Sequence, residues 1–394
     1  MTPPLNLEDA QTRLLALLQP SAVRTNPVDG SARLYVAEKV VARRSQPPVD
    51  LSAMDGYATC GGGPWFLKGE SRAGAPYDKL LGKGDAVRIS TGAQMPLGAD
   101  AVLLQEDAQV EGTDLTANAP PTVRFIRRAG LDFASSDILL EPGTRMGAAQ
   151  IALARAGGCG SVVAYERPRV AIIECGDELC ADPQDCRDPQ IPAVNGAMLT
   201  EMAREAGGEV TATGPVPDDA DALVRAIESQ AEAALIVISG GASVGPHDLV
   251  KPALEAAGFA LDFWRVAIKP GKPLLVATRG DAVVLGLPGN PVSSFVTGFL
   301  FMMPAIRRMA GARDCVPRAV PLRLAAPVPE GGKRREFVRA AWTGDGVIAA
   351  DVQDSSALRP LAQAQVLIDR AAGADPAKTG TFVPCYLLES GGYA

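Results

Sequence analysis

The residues best suited to bind an anion form the segment from 239 to 245, Ser-Gly-Gly-Ala-Ser-Val-Gly. This segment follows an apolar run and precedes a predicted helix. Its glycines would let backbone N–H groups approach a phosphate closely, and its serines add hydroxyl donors. It matches neither the Walker loop nor the dinucleotide fingerprint. Two interpretations stay open, a phosphate or nucleotide site and a tight turn without a ligand. The candidate residues are Ser239, Gly240, Gly241, Ser243 and Gly245.

Carboxylates come at neighbouring positions of the same region. Glu178 follows a predicted strand, Asp218 opens a predicted helix, and Asp248 lies just beyond the glycine segment. Carboxylates beside a phosphate site normally imply Mg²⁺, because the negative charges otherwise repel one another. Helix capping is the alternative, which is favoured for Asp219 and remains open for Asp218.

Two further turns carry cations or free backbone N–H groups. Lys269 and Lys272 stand in Lys-Pro-Gly-Lys-Pro, whose prolines lower the entropy cost of holding the lysines in place. Residues 287–293 read Leu-Pro-Gly-Asn-Pro-Val-Ser and open a predicted helix, so its start and Ser293 could receive an oxyanion. The alternatives are a solvated surface turn for the lysines and an ordinary helix cap by Asn290.

Other polar residues carry little information by themselves. Asp55 and Thr91 stand in turns between predicted strands, and Asp132 follows a pair of arginines, which favours a surface ion pair. The single histidine, His247, excludes imidazole-rich metal sites and is more typical of a helix start than of a catalyst. The seven cysteines show no CxxC spacing and are interpreted as reduced thiols. A soft-metal site at Cys175, Cys180 and Cys186 is the less favoured alternative.

Composition narrows the classes of function. The 394 residues are 47% hydrophobic and 21% charged, with a formal net charge of −7, which argues for a globular protein and against nucleic-acid binding. The N-terminus has no signal-peptide pattern, and no apolar run reaches the roughly 20 residues that span a bilayer. We expect a cytoplasmic location and no membrane association.

The periodicity of apolar residues predicts elements that place these turns together. A helix is predicted over 5–19, a helical or mixed stretch to about 44, short strands from there to about 138, and a helix over 144–157. From about 167, strands and helices alternate, which predicts a parallel three-layer sheet with ligands beyond the carboxyl ends of its strands. Beyond about 313 only strands are predicted. The predicted helices of the alternating region are 195–206, 218–231, 247–257 and one from Pro291.

Taken together, these segments resemble the molybdopterin molybdenumtransferase family, which includes the C-terminal domain of gephyrin. The resemblance covers nearly the whole chain and is weakest after about residue 313. The matching segments, in the order in which the family has them, are 47–58, 88–102, 126–132, 176–179, 239–248, 267–273 and 287–293.

The resemblance implies a multidomain α/β fold with a three-layer α/β/α molybdopterin-binding domain. It also implies a homodimer, in which each active cleft takes residues from both subunits. The implied reaction transfers molybdenum from molybdate to adenylated molybdopterin with Mg²⁺, and AMP leaves. The implied domains are a discontinuous elongated domain (1–44 and 137–166), a β-rich insert (45–136), the α/β domain (167–312) and a C-terminal β-barrel-like domain (313–394).

The same resemblance assigns roles to residues of this chain. Asp248 and the glycine segment would hold nucleotide phosphate and Mg²⁺, with Asp218 and Glu178 as further metal ligands or water-orienting groups. Lys269, Lys272, Ser293 and Arg335 would receive molybdate. Further cofactor-binding positions are Asn195, Pro288, Asn290 and Pro291, and the catalytic residues presented to the partner subunit's α/β domain are Asp55, Thr91 and Asp132.

Several positions depart from the family pattern. Glu174-Cys175 stands where the family has Ser-Thr, Arg265 replaces a lysine, and Arg359-Pro360 stands where serines are expected near molybdate. Two other functions remain as alternatives. One is a molybdopterin adenylyltransferase, whose relatives generally comprise the α/β domain alone, and the other is a scaffold or carrier of the same fold.

Overall fold

The computed structural model describes residues 4–241 and 249–388, and these form two compact units. The smaller unit takes residues 25–32 and 38–163, and the larger unit takes 1–24, 33–37 and 164–394. The chain thus crosses between the units several times, as a discontinuous arrangement requires. The finer division into four domains stays a prediction.

The first helix, α1, spans Leu7–Ala16 and confirms the helix predicted over 5–19. Its start is set by Asn6, whose side-chain oxygen accepts a hydrogen bond from the Asp9 N–H at 2.7 Å. Of the two alternatives for the stretch to about residue 44, helical or mixed, the mixed one is confirmed and no α-helix forms there. That stretch holds strand β1 (Val23–Pro27), a 3₁₀ turn and strand β2 (Val40–Val41), since its β-branched residues find strand partners.

The smaller unit confirms the predicted β-rich segment. Its strands are β3 (Leu51–Ser52), β4 (Gly56–Thr59), β5 (Trp65–Ser71), β6 (Asp85–Ile89), β7 (Ala101–Leu104), β8 (Ala108–Glu111), β9 (Asp114–Ala117), β10 (Ile126–Arg127) and β11 (Ile138–Leu140). Six of them form one sheet in the order β7-β4-β6-β5-β9-β8, while β3 pairs with β10 and β2 with β11. Successive residues such as Val102 and Leu103 enter separate apolar clusters, because side chains alternate across a sheet.

The helix predicted over 144–157 is confirmed as α2, Ala148–Ala156, and strand β12, Ser161–Tyr165, follows it and pairs with β1. The larger unit then contains β13 (Arg169–Cys175), β14 (Leu179–Cys180), β15 (Ile191–Pro192), α3 (Asn195–Glu205), β16 (Glu209–Val216), α4 (Ala220–Glu228), β17 (Leu235–Ser239), α5 (Val250–Ala256), β18 (Ala260–Trp264), β19 (Ile268–Lys269), β20 (Leu275–Arg279), β21 (Ala282–Leu287), α6 (Pro291–Thr297) and α7 (Met303–Met309).

The central sheet of the larger unit has the order β16-β13-β17-β21-β20-β18. The four strands from β16 to β21 are parallel, as predicted, and apolar clusters cover both faces, so the three-layer arrangement is confirmed. The last two strands are added by antiparallel pairings, of β20 with β21 and of β18 with β20, which the sequence prediction missed. The reason is the two-residue Gly280-Asp281 turn, which is too short for a crossover and closes a hairpin between β20 and β21.

The helix predicted from Pro291 runs without a break to Met309, with one π-helical turn at Gly298–Met302 between α6 and α7. It is apolar on nearly all sides because it lies within the larger core cluster. In the two described ranges, no helix combines the length and the apolar character needed to cross a membrane.

A second six-stranded sheet closes the larger unit. Its own elements are β22 (Val320–Arg323), β23 (Arg335–Thr343), β24 (Gly346–Ala349), β25 (Val366–Arg370) and β26 (Phe382–Leu387), with helix α8 (Leu358–Gln363) in one connection. The sheet order is β19-β23-β25-β26-β22, and β24 pairs with β23 outside this order. The strands were predicted and α8 was not. The multidomain α/β fold predicted from the sequence is confirmed.

Candidate functional site

The two lysines predicted to bind an oxyanion line one pocket of about 390 Å³ in the larger unit. Strand β19 pairs in parallel with β23, and this pairing places Lys269 opposite Glu336. Gly271 packs closely on α6, since a Cβ at this position would lie 2.6 Å from the Thr297 Cγ2 atom. The lysine turn is therefore fixed between the helix and the second sheet. The polar residues that line the pocket are Lys269, Lys272, Ser293, Arg334, Glu336, Arg339, Gln353, Asp354 and Ser355.

The cations of this pocket are only partly neutralised. The Lys269 Nζ lies 2.9 Å from Glu336 Oε1, whereas Lys272 is exposed and forms no ion pair with any residue of 4–241 or 249–388. Four cationic side chains line the pocket, those of the two lysines, Arg334 and Arg339, together with two carboxylates, Glu336 and Asp354. An anion with several oxygens fits this balance of charge and donors.

Arg335, which the resemblance placed at molybdate, does not line the pocket, and Arg334 lines it instead. Arg335 donates two parallel hydrogen bonds to Asp369, at 2.7 and 2.6 Å, and a third to Glu8. The bonds to Asp369 and Glu8 hold the pKa of Arg335 above its usual value. The two neighbouring arginines separate because consecutive residues at a strand start point to opposite faces.

The sequence analysis missed one serine of the pocket, which lies in the connection between β24 and α8. Ser355 lines the pocket, while Arg359-Pro360, the positions compared with the family's serines, belong to α8. The Asn290 Nδ2 donates to Ser355 Oγ at 3.1 Å, and the Val292 N–H donates to the Ser355 carbonyl at 3.1 Å. Asn290 is the N-cap residue of α6, as its alternative interpretation expected, but its side chain forms no capping hydrogen bond with the helix.

Ser239 and Asn195 meet in a buried network at the carboxyl ends of the parallel strands. The Asn195 Nδ2 donates to Ser239 Oγ at 3.0 Å and to the Gly289 carbonyl at 2.6 Å. The fully buried Ser239 hydroxyl also lies 3.2 Å from Ser294 Oγ and 3.4 Å from the Pro288 carbonyl. In this arrangement Ser239 is engaged with protein groups, and its contact with a phosphate stays a prediction. Pro291 takes the first turn of α6.

The glycines after Ser239 have backbone conformations that favour this residue type. Gly240 and Gly241 have φ angles of +96° and +63°. A Cβ at Gly240 would lie 2.2 Å from the Cys175 carbonyl oxygen, so the turn packs directly on the end of β13. Among the other predicted residues of this turn, Ser243, Gly245 and Asp248 lie outside the described residues, as does His247.

Glu174 forms a contact that the sequence did not reveal. Its buried carboxylate accepts hydrogen bonds from the N–H groups of Asn195 and Gly196, at 3.0 and 2.7 Å. These are the first N–H groups of α3, so the helix start is already satisfied by a carboxylate of the chain itself. Burial, together with the charges of Asp218 and Glu174, raises the pKa of the Cys175 thiol to about 12, which keeps this thiol protonated.

Of the carboxylates predicted to bind Mg²⁺, Asp218 and Glu178 lie in the described part of the chain, just after β16 and β13. The Asp218 N–H donates to Asp177 Oδ1 at 3.0 Å, which ties the ends of β13 and β16 together. The Glu178 carboxylate folds back over Gly176, within 2.6 Å of where a Cβ would stand. Asp219 caps α4 through the Ala222 N–H at 2.8 Å, as predicted. In the part of the chain that the structure describes, no group of three or more His, Cys, Asp or Glu side chains forms a complete metal site.

The smaller unit brings Asp55 and Thr91 together. The Asp55 Oδ1 accepts a hydrogen bond from the Thr91 N–H at 2.7 Å, and both residues are exposed. Asp132 lies on another loop, where its N–H bonds to the Gln46 carbonyl. The ion pair expected for Asp132 is wrong, since Arg128 pairs with Asp50 and no described residue forms an ion pair with Asp132.

Fold and site together define a multidomain α/β protein with a parallel central sheet and a pocket lined by lysine and arginine side chains. Three family models match consecutive parts of this chain, and together they span most of it. They are the MoeA N-terminal region (domain I and II) at 5–158, the probable molybdopterin binding domain at 171–308 and the MoeA C-terminal region (domain IV) at 321–388.

Similar proteins agree with these matches. A molybdopterin molybdenumtransferase of Haemophilus influenzae is 33% identical over 79% of this chain and 79% of its own length. One of Staphylococcus aureus is 30% identical over 98% of this chain and 96% of its own. The structure of a molybdopterin biosynthesis moeA protein from Pyrococcus horikoshii OT3 superimposes with a TM-score of 0.84, at 24% identity, over 98% of this chain and all of that one. The chain belongs to the molybdopterin molybdenumtransferase family.

The position of Arg335 leads to a prediction about stability. Asp369 is only 6% exposed, so Arg335→Met leaves a buried carboxylate without its partner and should lower the free energy of unfolding by about 3 kcal/mol. Urea denaturation at neutral pH measures this change.

Glu8→Gln is the matched control, because Glu8 is 65% exposed and its pair with Arg335 is worth about 1 kcal/mol or less. Burial by itself raises the pKa of Glu8, but the hydrogen bond and charge of Arg335 bring it below its usual value. The small stabilisation from this pair is therefore present at neutral pH and lost as the pH falls through that lowered pKa. Equal, small effects of both substitutions would contradict a structural role for Arg335.

Proposed function

We propose that this protein inserts molybdenum from molybdate into adenylated molybdopterin and releases AMP. The single observation that carries the proposal is the cationic pocket, in which Lys269, Lys272, Ser293 and Arg334 converge although they come from three segments of the chain. The family relatives carry the name molybdopterin molybdenumtransferase. A pocket of this size and charge suits a small tetrahedral oxyanion.

Molybdate would be bound mainly by charged donors. The ammonium groups of Lys269 and Lys272 and the Arg334 guanidinium donate N–H bonds, while Ser293 and Ser355 offer hydroxyl groups. Glu336 already binds Lys269, which orients that ammonium group at the pocket wall. Fixed donors of this kind hold the oxyanion without reorganising, so the pocket contributes mainly by positioning one substrate against the other.

The nucleotide of the second substrate is proposed to lie at the carboxyl ends of β13, β16, β17 and β21. Parallel sheets of this kind bind ligands beyond the carboxyl ends of their strands. Gly240 and Gly241 turn the backbone sharply at this edge, and the Glu174–Asn195–Ser239 network forms its floor. We assign the phosphate contacts to the 239–245 segment, as the sequence predicts.

Mg²⁺ is proposed to be held at the same edge by Asp218, Glu178 and Asp248. Asp218 and Glu178 follow the carboxyl ends of β16 and β13, and Mg²⁺ is usually held by one or two carboxylates with substrate phosphates and water. When bound, it would neutralise charge on the phosphoanhydride that is cleaved. Asp218 would present its carboxylate at the end of β16, next to Asp177.

The reaction itself is the first test. Purified protein with adenylated molybdopterin should release AMP only when molybdate and Mg²⁺ are both present, since one ion is a substrate and the other compensates phosphate charge. AMP is measured by chromatography. Tight binding of adenylated molybdopterin without release would contradict the transferase and support a carrier or scaffold. Formation of adenylated molybdopterin from ATP would support the adenylyltransferase. That alternative is disfavoured by the N-terminal and C-terminal regions that this chain has in addition to an α/β domain.

Lys272 should determine the affinity for molybdate. Lys272→Ala removes an exposed, unshared charge from the pocket and is expected to raise the KM for molybdate about tenfold, as loss of one charged hydrogen bond does. The kcat at saturating molybdate should change little. Lys251→Ala is the control, since Lys251 lies on α5 and pairs with Glu255. If both variants keep the wild-type KM, the lysine turn is a surface feature only.

Asp55, Thr91 and Asp132 are proposed to act in the active site of a partner subunit, in a homodimer. At molybdate concentrations well below the KM of Lys272→Ala, the Asp55→Asn and Lys272→Ala variants should each be weakly active alone but complement one another when co-expressed. Half of the chains then form mixed dimers with one unaltered site each, so about one quarter of wild-type activity should return. Mixed dimers are isolated by two different tags. Mixed dimers with no recovered activity would show that both residues act within one chain.

A further inference from the structure

We propose that Arg339 is a positioning residue for molybdate, because it fixes the segment 352–357 that carries Ser355 into the oxyanion pocket. This inference rests on the proposed function of that pocket. Arg339 lies in the middle of β23 and is only 1% exposed, yet it belongs to the pocket wall.

The guanidinium of Arg339 braces one short segment at three points. Its Nη2 donates to the carbonyls of Val352 and Asp354, at 3.2 and 2.9 Å, and its Nη1 donates to the Ala357 carbonyl at 2.9 Å. The three carbonyls lie on both sides of Ser355 in sequence. A planar group with fixed donors therefore sets the curvature of the segment at the position that faces the pocket.

Ser355 is held from the opposite side by α6. Its carbonyl accepts from the Val292 N–H and its Oγ accepts from the Asn290 side chain, both at 3.1 Å. Because Ser355 Oγ already accepts one hydrogen bond, its own O–H remains a donor for the oxyanion. Arg339 and Asn290 thus hold the same serine from two elements, and neither brace alone fixes it.

The position of Arg339 in the pocket wall argues against a role in stability alone. Burial lowers the pKa of Arg339, and the charge of Asp354 offsets this lowering only in part. No described carboxylate lies within ion-pair distance of the guanidinium, whose partners are carbonyl oxygens and Gln353 Oε1. A buried cation without a partner carboxylate is costly, and Arg339 places this charge at the wall of the pocket. At this position the guanidinium both orders the segment and adds positive potential to the pocket.

Arg370 provides a matched control in the same sheet. It lies on β25 and is 7% exposed, and its Nη2 donates to the carbonyls of Pro329, Ala374 and Asp375. Arg370 therefore also braces a loop through backbone carbonyls, but it does not line the pocket. A substitution at Arg370 measures what the loss of such a brace does to folding alone.

The experiment compares Arg339→Lys with Arg370→Lys in the full chain. Lysine keeps the charge but cannot reach three carbonyls, so Arg339→Lys should raise the KM for molybdate about tenfold. Its kcat at saturating molybdate and its Kd for adenylated molybdopterin should stay within about twofold of wild type. The two substitutions should lower the Tm by similar amounts. Arg370→Lys should leave the KM for molybdate unchanged. The same KM in both variants would overturn the proposal.

Gln353→Ala keeps the proposal testable if Arg339→Lys does not fold. Gln353 is exposed, its Oε1 accepts from the Arg339 N–H at 3.1 Å, and its Nε2 donates to the Arg339 carbonyl at 3.0 Å. Its loss should raise the KM for molybdate about threefold, because one neutral hydrogen-bonded brace is weaker than the guanidinium. An unchanged KM in a folded Gln353→Ala variant would contradict the role of Arg339.

A failure of the proposed function would be recognised separately. If the wild-type protein releases no AMP with molybdate, molybdate binding is measured directly by calorimetry on the wild type, Arg339→Lys and Arg370→Lys. Weaker binding only in Arg339→Lys supports the positioning role without the reaction. Equal binding in all three proteins, or none in the wild type, overturns it.

Discussion

The site depends on a two-residue parallel pairing between β19 and β23. This pairing aligns Ile268–Lys269 with Arg335–Glu336 and joins the lysine turn after β18 to the second sheet. Without it, the lysines would lie on a free turn and the second sheet would contribute no pocket wall. Two short segments far apart in sequence therefore create the cationic pocket, and the remaining features hold this junction in place.

Two kinds of buried polar contact support the pocket. On the second sheet, Arg335 of β23 and Asp369 of β25 form a charged pair next to Arg334 in sequence. At the edge of the central sheet, Glu174, Asn195 and Ser239 join three strand ends and the start of α3 through hydrogen bonds. Buried polar networks of this kind specify one arrangement when their donors and acceptors are matched. Asn195 is bonded through its amide nitrogen, while its buried Oδ1 has no hydrogen-bond partner among the described residues.

Sequence alone predicted the elements that place the site and most of the residues at the strand ends. The strand Arg169–Cys175 and the helix at Asn195 were predicted nearly to the residue, because strong apolar periodicity and turn residues define them. The hairpin of β20 and β21 was missed because the alternation of strands and helices favours a parallel order throughout.

The choice between Arg334 and Arg335 could not be made from the sequence. It depends on the register of a single strand, and a slip by one residue exchanges the face that meets the pocket. Ser355 was missed for a related reason, since no local pattern shows that a loop after β24 returns to the start of α6. Contacts of this kind between distant segments are set by tertiary packing, so residue spacing along the chain does not predict them.

The contact between Glu174 and α3 has a consequence for how this chain can change in evolution. A Cβ on residue 196 would lie 2.7 Å from Glu174 Oε2, and the carboxylate is held there by two N–H groups. Glycine at 196 therefore leaves the space that the Glu174 carboxylate occupies. A short hydroxyl side chain at 174 would open room at 196, whereas a side chain at 196 would force the Glu174 carboxylate away from these N–H groups.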